Sequence, residues 1–198
     1  MDILVVAGML GAGKTSIIIQ LLDPLSAGGR KVAIIENEIG SVGIDGEVLN
    51  KGGLQIRELA GGCVCCTLKT GMIDTLKALQ AELDPDIVVI EPTGIADPEY
   101  ILISVDGVMG LDVGSSKVIV VIDAERFLKL KTMFERPLKN QLETADIVLI
   151  NKVDTIPLQD LRSVEDSIRS TFKYKGKIVH VRGDTGDGIS SVPKEIGL

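Results

Sequence analysis

Seven strand candidates punctuate the chain, at 3–7, 32–36, 54–58, 87–91, 118–123, 147–150 and 178–181, most of them short apolar runs. They are rich in Ile and Val, and glycine, proline or acidic residues follow most of them. Runs of this length and composition predict strands buried on both faces. Longer stretches with helical spacing lie between them, at 14–22, 67–82, about 97–104, 124–144 and 158–172, with a short one at the C-terminus. Asp23-Pro24 is expected to stop the first helix, and Asp84-Pro85 separates the long helix from the next strand. Pro137 predicts a break or kink within 124–144. This alternation predicts an α/β fold with a mostly parallel sheet, right-handed crossovers and helices on both faces. Ligands bind such sheets beyond the carboxyl ends of the strands, so chemistry is expected just after each apolar run.

After the first run comes Gly8-Met9-Leu10-Gly11-Ala12-Gly13-Lys14-Thr15, which leads into Ile17-Ile18-Ile19. Strand, glycine-rich loop and helix in this order form the phosphate-cradling pattern Gly-x-x-x-x-Gly-Lys-[Ser/Thr] and make the fold class a P-loop NTPase. Backbone N–H groups from Gly11, Ala12, Gly13, Lys14, Thr15 and Ser16 are expected to face phosphate oxygens, aided by the positive end of the helix. Lys14 is expected to bridge the β- and γ-phosphates, and Thr15 to offer its hydroxyl to Mg²⁺.

The segments after the later strands extend this picture. Glu36-Asn37-Glu38-Ile39-Gly40-Ser41-Val42-Gly43-Ile44-Asp45 is a polar, glycine-spaced loop. Glu36 and Glu38 can touch a metal–phosphate site or position a water there, although the loop taken alone is equally an ordinary acidic surface segment. Ile90-Glu91-Pro92-Thr93-Gly94 ends a buried run on a carboxylate. Glu91 is expected to hold Mg²⁺, directly or through water, and Gly94 to let backbone approach the γ-phosphate. Asn151-Lys152-Val153-Asp154 follows the sixth run. The Asp154 carboxylate can accept from guanine N1–H and the exocyclic amine together, a pattern that adenine does not offer. Asn151 is expected to steady that loop, and the stem of Lys152 to cover the base.

The third run is followed by Glu58-Leu59-Ala60-Gly61-Gly62-Cys63-Val64-Cys65-Cys66-Thr67, which holds all three cysteines of the chain. Three thiols within four residues, behind paired glycines, suit ligation of a thiophilic metal with a coordination position left open. Redox sensing and structural packing are the other readings of these thiols. No chemistry is assigned to 106–116. The basic stretch containing Arg126, Lys129, Lys131 and Arg136 is read as a solvated face before it is read as a site for an acidic partner. His180, the one histidine, is expected to be structural. Thr185-Gly186-Asp187-Gly188-Ile189 is expected near the loop that closes over guanine, or to be a plain turn.

Composition narrows the classes. With 198 residues and 45% hydrophobic content the chain is expected to form one domain, 1–198, around an aliphatic core, since aromatics make up only 3%. A net charge of −7 argues against a nucleic-acid or anionic-membrane partner recruited by charge. No segment reaches the length of a membrane span, and the first apolar run lacks a basic flank and cleavage site, so a soluble cytoplasmic protein is expected. Adjacent cysteines make a poor disulfide framework.

Taken together, Gly8–Thr15, Glu36–Asp45, Gly62–Thr67, Glu91–Gly94, Gln141–Ala145 and Asn151–Asp154 resemble the metallochaperone GTPases of the CobW/UreG/HypB/MeaB type, most of all the CobW-like branch in a short form without the C-terminal domain. Glu-x-x-Gly at 91–94 and Cys-x-Cys-Cys at 63–66 are the distinctive words. The resemblance implies a GTPase that binds Zn²⁺, Co²⁺ or Ni²⁺ through Cys63, Cys65 and Cys66 and delivers it to a target metalloprotein or cofactor-insertion partner. It also implies a homodimer favoured by GTP, and a role for Glu36 or Glu38 at the Mg²⁺ and water site. The rival reading is a regulatory GTPase that gates a partner, such as a cobalamin-dependent enzyme, and carries no metal. A third, an ATP-using P-loop enzyme, is opposed by Asp154.

Overall fold

A computed structural model describes residues 1–36, 55–58 and 67–198, with backbone alone at 55–58 and 67–70. The strands are β1 (Asp2–Gly8), β2 (Val32–Glu36), β3 (Gln55–Glu58), β4 (Ile87–Glu91), β5 (Ser116–Asp123), β6 (Ile147–Asn151) and β7 (Lys177–His180). The helices are α1 (Lys14–Leu25), α2 (Thr67–Glu82), α3 (Pro98–Val105), α4 (Phe127–Met133), α5 (Glu135–Thr144), α6 (Leu158–Ser170) and α7 (Val192–Glu195). The strands form one sheet in the order β3-β2-β4-β1-β5-β6-β7. Every neighbouring pair is parallel.

The two-residue period of β1 divides the interior. Ile3, Val5 and Ala7 point into a core shared with Met72, Leu76 and Leu79 of α2, Leu138 and Leu142 of α5, and Leu161, Val164 and Ile168 of α6. Leu4 and Val6 point the other way, onto Ile17, Ile18, Leu21 and Leu25 of α1 and Val192 of α7. Because both faces of the sheet's centre are covered, β1, β2, β4, β5 and β6 read as apolar runs rather than alternating ones. All strands run the same way, so their carboxyl ends share one edge. In register there, Glu36 lies beside Glu91 and Asp123 beside Asn151.

Two proline expectations are corrected. The first helix continues through Pro24 to Leu25, whose side chain is fully buried against the sheet, and ends where Ser26 N–H donates to the Leu22 carbonyl at 2.8 Å. The 124–144 stretch divides at Phe134 (φ −118°, ψ 34°), not at Pro137. Pro137 is the third residue of α5, inside the first turn, where its missing N–H has no helical partner to lose. Asp97 starts α3 by accepting from Glu99 N–H at 3.1 Å, with Pro98 at the first helical position.

Tyr174 closes the core between α6 and β7. It is largely buried, its hydroxyl donates to the Lys177 carbonyl at 3.2 Å, and the Arg169 guanidinium lies 5.6 Å from its ring centre. Burial is the main cause that pushes its pKa up to about 12; Arg169 opposes this and Asp146 adds to it. Free tyrosine ionises near pH 10, so the unfolded chain loses this proton first. Stability is whole below about pH 10 and is lost as the pH rises towards 12. Tyr174→Phe should lack this alkaline loss, as measured by urea denaturation at about pH 9 and about pH 11.

Candidate functional site

At the carboxyl edge the loop between β1 and α1 is met by side chains from several distant segments. Gly13 caps α1 in a left-handed conformation (φ 91°) and offers no side chain to the first-turn N–H groups. Those donors remain directed at the loop, an arrangement suited to an anion. A Cβ at Gly13 would collide with the Asn151 amide, so only glycine fits. Ala12 is buried, whereas Gly11 and Ser16 are exposed.

Lys14 begins α1 and is almost fully buried, and Thr15 follows it. Both meet Glu91 from the end of β4. Lys14 Nζ lies 3.7 Å from Glu91 Oε1, and Thr15 Oγ1 donates to Oε1 at 3.1 Å and Oε2 at 3.0 Å. A buried ammonium and a buried carboxylate each require such a partner. Residues singled out from two separate segments, Lys14-Thr15 and Glu91, therefore converge on one point.

The Asn-Lys-x-Asp segment is bolted to the same loop. Asn151 Nδ2 donates to the Ala12 carbonyl at 2.9 Å, while its Oδ1 accepts from Gly183 N–H at 2.9 Å. Lys152, with φ 61°, sends Nζ to the Gly11 carbonyl at 2.8 Å and to Asp123 Oδ2 at 2.7 Å. Asp154 is exposed, with the Arg182 guanidinium 3.5 Å away. Arg182 also lies 3.2 Å from Asp184 and 3.7 Å from Asp187. The carboxylates around it raise the Arg182 pKa further, Asp184 first through its hydrogen bond. The contact between this last loop and Asn151 is made at Gly183, just before the 185–189 segment singled out in the sequence.

Gly94 lies where a Cβ would fall on the backbone of Leu10, so the turn after β4 passes directly against the phosphate-type loop. Glu36 ends β2 in register with Glu91. Glu38, Cys63, Cys65 and Cys66 lie outside the described residues. Among the described residues, no group of three or more His, Cys, Asp or Glu side chains could hold a metal ion. His180 ends β7, with Nε2 3.4 Å from Glu165 of α6.

Asp123, passed over in the sequence, takes part in the site, and Arg126, Lys131 and Gln141 take roles that their sequence positions did not reveal. Asp123 accepts from both Lys152 Nζ and Arg126 N–H. Its signal, a carboxylate ending a buried strand, is the one that identified Glu91. Arg126 donates from Nη1 to the Leu10 carbonyl at 3.1 Å, and Lys131 donates to Ser167 Oγ at 2.9 Å, so two cations of the basic stretch have internal roles. Gln141 is fully buried and donates from Nε2 to the carbonyls of Gly94 and Ala96. Gln141 opens the Gln141–Ala145 word that carries part of the family resemblance, but no role for its side chain was legible there.

Comparison with known proteins follows the same lines. The zinc chaperone CobW of a Sinorhizobium species is 33% identical over 208 residues, covering 90% of this chain and 58% of that protein. The zinc chaperone YeiR of Escherichia coli is 35% identical over 153 residues, covering 75% of this chain and 45% of that protein. This chain thus spans about half the length of the curated relatives it matches. The hydrogenase maturation factor HypB of Archaeoglobus fulgidus superposes with a TM-score of 0.68 at 18% identity, covering 98% of this chain and 87% of that one, and shares the fold. No helix among the described residues is long and apolar enough to cross a membrane. The family model for the CobW/HypB/UreG nucleotide-binding domain matches residues 2–179, which takes in the glycine loop, the Glu91 turn and the Asn151–Asp154 segment, and the chain therefore belongs to that family.

Proposed function

We propose that this chain binds and hydrolyses GTP, and uses the cycle to bind a transition-metal ion and hand it to a target protein. The observation that carries the GTPase reading is the convergence of Lys14, Thr15 and Glu91 within 3.7 Å, beside a loop braced by Asn151 and Lys152. Gly11 to Ser16 would cradle the phosphates. Lys14 would turn from Glu91 to the β- and γ-oxygens. Gly94 would approach the γ-phosphate, and Asp154 would exchange Arg182 for the guanine edge. Thr15 Oγ1 and the Glu91 carboxylate form an all-oxygen donor pair already in mutual contact, which fits Mg²⁺. When bound, that ion neutralises charge on the phosphates. Glu36, at the neighbouring strand end, and Glu38 would position the attacking water.

The cargo reading rests on the Cys63-Val64-Cys65-Cys66 word and on relatives named zinc chaperones. The three thiolates would hold Zn²⁺, Co²⁺ or Ni²⁺ as substrate and release it to a metalloprotein or cofactor-insertion partner. The protein would act in the cytoplasm as a single domain that pairs with a second copy when GTP is bound.

Coupling of this kind is reciprocal: if GTP tightens metal, metal tightens GTP by the same factor. Titration of Zn²⁺ or Co²⁺ with GDP or a non-hydrolysable GTP analogue should give tighter binding with the analogue. Cys65→Ser and Cys66→Ser should each weaken metal by more than about tenfold, since even indirect supports of a ligand are worth that much. Affinity should also fall with falling pH, because protons compete for thiolate. Retention of metal by both serine variants would leave a regulatory GTPase in place of a carrier.

A further inference from the structure

Gln141 is a fully buried amide that neither phosphate binding nor base recognition accounts for. Its Nε2 donates to the Gly94 carbonyl at 3.2 Å and the Ala96 carbonyl at 3.0 Å. Asn140, the preceding residue on α5, donates from Nδ2 to Asp97 Oδ2 at 2.7 Å. Ala96 N–H closes the turn onto the Thr93 carbonyl at 3.0 Å. Two consecutive amides on one helix thus clamp 94–97. The other side of the clamped turn is Gly94 against the Leu10 backbone, with no room for a side chain. The turn is held between Gln141 and the phosphate-type loop.

A buried amide costs stability unless it is hydrogen-bonded, and here its N–H groups are met by the carbonyls of the turn. Gln141 Oε1 is moreover buried without a hydrogen-bond partner among the described residues. The side chain therefore keeps an open acceptor beside the turn that its donors already grip.

We infer that Gln141 is a positioning residue that sets the Gly94 backbone at the γ-phosphate end of the site, and so determines how strongly the protein distinguishes GTP from GDP. The inference rests on the proposed GTPase reading. Gln141 touches no phosphate in this scheme; it acts through the two carbonyls it holds. Its loss should leave the binding of the base and the first two phosphates intact while loosening the segment that meets the third.

The test compares Gln141→Leu with Leu142→Ala. The first keeps bulk and removes both donors. The second creates a cavity at a buried core position of the same helix and lacks any hydrogen bond to the turn. Affinities for GDP and for a non-hydrolysable GTP analogue are measured with Mg²⁺, together with single-turnover GTP hydrolysis and thermal midpoints. Gln141→Leu should lose about tenfold or more in both hydrolysis and preference for the analogue over GDP, with GDP affinity held within about twofold. Leu142→Ala should keep both properties despite a lower midpoint. Should Gln141→Leu not fold, Asn140→Ala releases the Asp97 arm of the clamp and should lower the same preference about threefold. If the variant used matches Leu142→Ala in its nucleotide preference, the inference is overturned. A parent protein that does not hydrolyse GTP overturns the GTPase reading, and the inference falls with it.

Discussion

Lys14→Ala should reduce GTP hydrolysis by about 10²–10³-fold, the loss seen when one preorganised donor to developing charge is removed. The ammonium is expected to span the β- and γ-oxygens, so GTP affinity should fall more than GDP affinity. The same substitution should also cost stability without nucleotide. Lys14 Nζ is 3.7 Å from the buried Glu91 carboxylate, and removal of the cation leaves that charge to Thr15 and its remaining partners. Breaking a buried pair costs about 3–5 kcal/mol, and the long separation here places the effect at the lower end. About 3 kcal/mol corresponds to a drop of roughly 6–12 °C in thermal midpoint for a chain of this size. Adding Glu91→Gln to Lys14→Ala should restore much of the midpoint and none of the hydrolysis. Calorimetry and a phosphate-release assay check the two halves independently. Full hydrolysis by Lys14→Ala would remove the phosphate-loop assignment.

Asp154→Asn should lower guanine nucleotide affinity by about 10³–10⁴-fold, because the site reads the base by two hydrogen bonds accepted on one carboxylate. An amide keeps one acceptor and turns the other into a donor, which faces a donor on guanine. Xanthine places a carbonyl at that position, so the variant should prefer xanthosine nucleotides. Competition binding of GDP against XDP measures the reversal. Asp154 is exposed and its ion pair is with Arg182 at 3.5 Å, so folding stability should change by no more than about 0.5 kcal/mol. An unchanged base preference would move recognition away from this segment, and the Arg182 loop would then be the place to look.

The separation of these two effects follows from where the groups sit. Lys14 is buried at the start of α1 and joined to the end of β4, so its removal reaches the fold as well as the chemistry. Asp154 stands beyond β6 in a short turn, on the surface, and its removal is felt by the ligand alone.

Much of this architecture can be read along the chain because its signals are local. A strand buried on both faces must be apolar, and the five central strands β1, β2, β4, β5 and β6 announce themselves in this way, whereas the edge strands β3 and β7 carry polar residues. The glycine loop, the Glu91 turn and the Asn-Lys-x-Asp word are each contiguous, and each begins at the last residue of a strand. The residues that brace them are distant in sequence. Asn151 reaches Ala12 across 139 positions, Lys152 reaches Gly11 across 141, and Arg126 reaches Leu10 across 116. No periodicity or motif links such partners; only the parallel stacking of β1, β5 and β6 brings their ends to one edge. The same holds for Gln141, which opens a word of the family resemblance but has no legible role until the turn after β4 is folded against it. The proline misreadings have a related cause. Whether a missing N–H matters depends on the turn of the helix it falls in and on what the next side chain can bury, as Pro137 and Pro24 show. Local sequence thus determined the elements and the chemical words at their ends, while the order of the strands and the grip of one loop on another were decided by three-dimensional packing, because those contacts exist only once distant segments share a surface.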